Sequence, residues 1–574
     1  MDMPPVLPPP LPRKSGALGA VALLFAAGAV LAAGALFSFP EERLGLRLGL
    51  LIAAIFCGVV GVVLSIVGMT KGSGSPALTA AALVLNAGAL ITAGYFGEKI
   101  SEQVAVELPA IIRGATAQDH SDETDGLEVA SQPIVQSPGA MTFSDVEPIY
   151  QRWGEEKLLA AYESAGSRDP RWDDTARQYI RGWYYWRYSG GTKKGSEMPE
   201  WRRQLLEAGC RDPLVLYIAA QIYPQTEEHI SLLTQAESAA AASGYSPALL
   251  FLIRSELFRA RWNLKQRDIA RAGVPACAET LRAALLERPL TADDHFVWSY
   301  LLASHASGFL LEQAGETICD TVDGVEGLEP WLKHQIRGRH EKELAWQARG
   351  KGWANEVKPD GWRGFEEHLA LAREHLTKSW ELNPNHPAAA ATMIAVAMGS
   401  SQDAPTEMRL WFDRAITARF DAIQAYDSFM WGLRSRWHGS PAAMLALGQQ
   451  CLATERFDTD VPWQLVEANR DIASEWDEPD AYYPERAPYG DLKRMFEGYL
   501  AAPAQAEHQT QYRSHYAVVA AKCGDETTAR AQLEAVGFTL DPGVAQEWKV
   551  DPKEFIRRYG KKETPIEKEA PAAH

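Results

Sequence analysis

The densest group of chemistry-bearing residues lies between positions 458 and 480, where Asp458 and Asp460 in F-D-T-D-V-P-W are followed by Glu475, Asp477, Glu478 and Asp480. Paired carboxylates are the machinery of glycoside hydrolysis, one serving as general acid and the other as base or nucleophile. The same residue types at loop starts cap helices or bond their own backbone, and Pro462 and Pro479 mark both stretches as loops. A second group sits in the loop Arg436-Trp437-His438-Gly439-Ser440, where His438 is the residue best suited to bind a partner or titrate. Arg436, Trp437, His438, Asp458 and Asp460 are therefore the candidates for partner contact, set against a bland role in turns and caps.

No further pattern defines a reaction. His368 and His375 are seven positions apart rather than the four of a helix-borne zinc pair, and His340-Glu341 has no second histidine at the required spacing. A phosphate-binding loop, a G-x-S-x-G elbow and a dinucleotide fingerprint are all missing from the sequence. Cys210, Cys277, Cys319, Cys451 and Cys523 are widely dispersed with no C-x-x-C, which points to buried thiols rather than a metal or disulfide framework. The sequence thus assigns no catalytic residue, no cofactor and no metal ligand. The aromatic run Trp183, Tyr184, Tyr185, Trp186 and Tyr188 could line a sugar or peptide groove, but tryptophans at i and i+3 more often bury one helix face.

The elements that would position these residues are helical. From 143 to 555 helical periodicity alternates with short Gly, Pro or Asp breaks, and strand alternation is absent. So long a region exceeds the roughly 250–300 residues that one core holds, which favours a repeat array. Ala372, Leu376, Ser379 and Pro384 fall at the offsets of the second helix of a tetratricopeptide unit, and Met408, Phe412 and Ala415 repeat the pattern 36 positions later, near the usual spacing of about 34. Ala517, Ala520, Gly524, Ala529 and Leu533 mark a third unit. In such units the small residues let paired helices cross closely while the bulky ones fill the groove.

The segments A-W-Q-A-R-G-K-G-W-A-N-E-V from Ala345, G-W-R-G-F from Gly361, A-R-E-H-L-T-K-S-W-E-L-N-P from Ala372, W-H-G-S from Trp437 and F-D-T-D-V-P-W from Phe457 resemble a membrane-anchored, tetratricopeptide-like helical-repeat family of bacteria. The resemblance implies an all-α fold and no defined reaction, so it transfers no catalytic residues.

Ahead of this region stand three apolar runs, Ala17 to Phe39, Leu48 to Met69 and Ala77 to Phe96. Each contains no charge and approaches the roughly 20 residues needed to span a bilayer, so 17–96 reads as three transmembrane helices. Ala53, Cys57, Gly61 and Ser65 recur every four positions and offer a small-residue stripe for packing among the spans or self-association. Arg13 and Lys14 before the first run favour an inside N-terminus and hence an extracytoplasmic C-terminal domain. The expected organisation is a Pro-rich tail at 1–16, the anchor at 17–96, an acidic flexible linker at 97–142, a helical-repeat domain at 143–555 and a charged disordered tail at 556–574. The net charge of −17 opposes nucleic-acid binding. The partners expected are therefore the lipid bilayer and a protein or peptide held by the repeats. A membrane-anchored helical scaffold at the extracytoplasmic face is the leading reading. An anchored carbohydrate-active hydrolase with a helical toroid domain is the alternative.

Overall fold

The computed structural model describes residues 125–188, 197–221, 226–303, 305–400, 403–560. The fold is all-α: among the described residues the sole pairing of extended backbone is the isolated parallel bridge between Met141 and Arg419. No described helix is long and apolar enough to cross a membrane. The three apolar runs at 17–96, the Pro-rich tail at 1–16 and residues 561–574 lie outside the described residues, whereas 556–559, expected to begin a disordered tail, belong to helix Pro552–Tyr559, whose Phe555 and Tyr559 are buried.

Local sequence explains where the helices begin. Pro330, Pro359, Pro387, Pro441, Pro542 and Pro552 each open a helix, at a position whose missing N–H would have had no partner within the helix. Ser440 Oγ accepts from the Ala443 amide at 3.2 Å, Asp525 from the Thr528 amide at 2.9 Å and Asp551 from the Glu554 amide at 2.8 Å. Each such cap is worth about 1 kcal/mol. Gly524, at φ +85°, turns the chain between Gln509–Lys522 and Glu526–Ala535, a conformation in which a Cβ would be strained.

Two apolar cores result. One gathers buried residues from Val146 to Ile336, the other those from Ala345 to Tyr559. Pro330–Arg349 carries the chain from the first to the second and packs along Pro359–Leu382. The approach is close because Gly338 has no side chain: a Cβ there would lie 2.7 Å from Leu376 Cγ. Ser379 Oγ donates to the Trp331 carbonyl at 2.8 Å across this seam, and His386 Nε2 meets Ser299 Oγ at 2.9 Å.

The residues singled out for repeat packing lie as follows. Ala372, Leu376, Ser379, Phe412, Ala415, Ala529 and Leu533 are all buried. Pro384 instead stands exposed in the turn after Pro359–Leu382, because its ring ends the helix rather than filling a groove.

The acidic stretch expected to be a flexible linker differs from that expectation from Asp125 onward. Residues 125–131 are helical, and Val129, Ala130, Ile134 and Ala140 join the second core. Arg409, 7% exposed, donates to the carbonyls of Val129 at 2.8 Å, Gln132 at 3.1 Å and Pro133 at 3.0 Å. Met141 then pairs with the backbone at Ala418 and Phe420. Burial of four small apolar groups and one guanidinium outweighs the ordering cost that its acidic, proline-bearing composition suggests.

Candidate functional site

The second core carries a cavity of ≈ 990 Å³. Its lining comes from Ile423–Gly432, the loop at 458–463, Gln464–Ala473, the short helix Pro503–His508, Gln509–Lys522 and Glu547 at the end of Pro542–Glu547, whereas Pro441–Ala453, Tyr489–Ala501 and Glu526–Ala535 contribute nothing. Phe143 and Tyr150, from the first helix after the docked segment, close another side.

Asp458 and Asp460 both line this cavity. They differ in state. Arg456 grips Asp458 at 2.8 and 2.7 Å, and these hydrogen bonds hold its carboxyl below the usual range. Asp460 has no hydrogen-bond or ion-pair partner among the described residues. Its side chain is exposed to the cavity, and desolvation followed by the charge of Asp421 pushes its carboxyl upward, against the opposing effect of His508.

Sequence reasoning missed the residues opposite. Asp427 faces the cavity from Ile423–Gly432, and its one hydrogen bond is a long 3.5 Å contact from Gln464 Nε2. Burial, reinforced by the neighbouring charges of Glu467 and Asp471, pushes its carboxyl up to about 6. Gln464 is 2% exposed, and its Oε1 has no donor. Asp421, 7% exposed, accepts from the Phe143 amide at 2.7 Å and lies 3.5 Å from Arg419 Nε.

Eight carboxylates line the cavity against two arginines and two histidines. Both arginines are already engaged, Arg434 with Asp471 at 2.7 Å and Arg419 with Asp421. Burial holds His515 near 3, hence neutral, and its Nδ1 accepts from Trp548 Nε1 at 2.9 Å. The cavity is therefore negative at neutral pH. Its aromatic wall is Trp463, braced by Tyr512 at 5.8 Å, His515 at 4.8 Å and the indole hydrogen bond to Glu467 at 3.0 Å.

The other candidates lie elsewhere. Trp437 packs edge-on against Trp346 at 5.4 Å, His438 Nε2 meets the Met398 carbonyl at 2.8 Å, and Arg436 covers the Trp431 ring at 4.4 Å. This loop is a packing corner, also covered by Gly126 of the docked segment, so none of the three side chains lines the cavity. Glu475 approaches Arg434 at 3.6 Å and Asp480 reaches Lys522 at 2.5 Å, both outside the cavity lining. Trp183 and Tyr184 are buried. No protein-family model, no curated protein and no solved structure matches this chain.

Asp427 gives a direct check on the cavity's electrostatics. A carboxyl raised from its ordinary 3.8 to about 6 makes the folded state bind protons more tightly than the unfolded chain, so stability is lost as pH rises through that window. The shift corresponds to about 3 kcal/mol, which screening of a solvent-reached side chain reduces to about 1 kcal/mol. Asp427→Asn should therefore melt above the parent at about pH 7.5 and converge with it near pH 4. Equal melting at both would remove the strained carboxylate.

Proposed function

We propose that the chain is a membrane-anchored, tetratricopeptide-like scaffold whose cavity holds a segment of a partner polypeptide at the extracytoplasmic face. The observation that carries this reading is a cavity lined by residues from several successive helices of the second core, among them Ile423–Gly432, Gln464–Ala473 and Gln509–Lys522, as stacked helical units line a concave binding face. Polar groups without partners on buried or enclosed side chains support it further, since such groups ordinarily find a hydrogen bond. The three apolar runs at 17–96 supply the anchor in this reading, and the residues from Phe143 to Tyr559 the scaffold.

Gln424 lines the cavity and is exposed, whereas Arg557 lies outside the lining. A photo-crosslinking amino acid at Gln424, in the full chain within cells that make it, should yield a discrete adduct that Arg557 does not. Identical or absent adducts at both positions would refute the reading.

One observation favours the hydrolase alternative: a carboxyl near 6 beside a second carboxylate is the condition of a general acid at neutral pH. On that reading Asp427 is the acid and Trp463 a sugar platform. Oligosaccharide cleavage by the full chain, lost in Asp427→Asn, would establish it over the scaffold.

A further inference from the structure

We infer that the segment held in the cavity presents basic side chains, lysine or arginine, to Asp427 and Asp460; this rests on the cavity being a polypeptide site. Three lining carboxylates, Glu147, Asp427 and Asp460, form no ion pair with a lysine or arginine among the described residues, the one cationic influence on Asp460 being His508, whereas both lining arginines are committed to carboxylates. Carboxylates gathered on one cavity repel one another, as Glu467 and Asp471 do Asp427 and Asp421 does Asp460, and an entering cation relieves this where an uncharged hydroxyl or an anion does not.

A second, independent feature points the same way. Gln464, four positions after Asp460 in the chain, is almost wholly buried, its Nε2 reaches Asp427 at 3.5 Å, and its Oε1 lacks a donor. An ammonium or guanidinium supplies N–H donors and nothing that competes for the Gln464 amide N–H. Trp463 and Tyr512 line the same cavity as Asp460 and give it an aromatic wall suited to the same cations.

Isothermal titration of the detergent-solubilised full chain tests this with two capped peptides, Ala-Lys-Ala-Lys-Ala and Ala-Gln-Ala-Gln-Ala, and an uncharged oligosaccharide. The lysine peptide should bind at least about tenfold more tightly than the glutamine peptide and weaken as salt rises. The double substitution Asp427→Asn with Asp460→Asn should remove that preference while leaving the helical circular dichroism intact. Asp460→Lys, which places an ammonium in the cavity, should abolish lysine-peptide binding. Equal binding of both peptides, or a preference surviving the double substitution, overturns the basic-segment assignment and leaves the polypeptide reading standing. Binding of the oligosaccharide with neither peptide bound overturns both.

Discussion

Arg409→Met should cost about 3 kcal/mol of stability and open the 125–142 segment. Methionine keeps the apolar stem but removes the guanidinium, which satisfies the carbonyls of Val129, Gln132 and Pro133 and pairs with Asp413 at 2.9 Å. Three acceptors and one carboxylate then lose a donor in a largely enclosed place, and such losses are worth about 1–3 kcal/mol apiece before water re-enters. Asp413 adds to the effect, because burial already raises its carboxyl and Arg409 is the neighbour that opposes this. Hydrogen exchange is the discriminating measurement. Amides at 125–142 should lose protection while those of Gln509–Lys522 keep theirs. Unchanged protection would show that Val129, Ala130 and Ile134 hold the segment unaided.

Phe412→Ala should be larger still, about 3–5 kcal/mol. Phe412 is fully buried, stacked on Phe429 at 5.0 Å and edge-on to Tyr426 at 4.9 Å. Both partners belong to Ile423–Gly432, the helix that aims Asp427 into the cavity. The substitution leaves a void that the helix can only partly fill, so the denaturation midpoint should fall and peptide binding should weaken together. Phe412→Leu should recover most of both. A loss below about 1 kcal/mol for the alanine variant would mean that the ring is not the wedge between these helices.

The helices were legible from sequence because their punctuation is local. A proline at the first turn, a Ser or Asp cap and a Gly after the end need no knowledge of the rest of the chain. The small and bulky residues from Ala372 to Leu533 were legible for a similar reason, since their spacing states which face of a helix is buried. Pro384 marks the limit of that reasoning: its offset says where a helix ends, not what it touches.

The site was half visible. Asp458 and Asp460 stand out because carboxylates beside a proline and a tryptophan are conspicuous, but Asp427 and Gln464 gain meaning only when helices 37 positions apart converge. Arg436, Trp437 and His438, by contrast, lie outside the cavity. A loop packed among tryptophans and a loop that binds a ligand have the same composition, and only contacts with Trp346 and Met398 separate them. The docked segment at 125–142 was misread as a tether because its acidic and proline content dominates its few apolar residues, whose partner Arg409 lies some 280 positions on.

The bond from the Phe143 amide to Asp421 also has a mechanical side. Any tension entering the domain along the chain from the N-terminal direction meets the three Arg409 bonds first and the Met141–Phe420 pairing second. The next restraint is Asp421, which forms part of the cavity wall. Load thus meets the cavity wall at the start of Phe143–Gly154, the first helix of the first core. A pull from that side that breaks the Phe143 bond frees the Oδ2 of Asp421 at the cavity wall, while Arg419 stays 3.5 Å from its Oδ1.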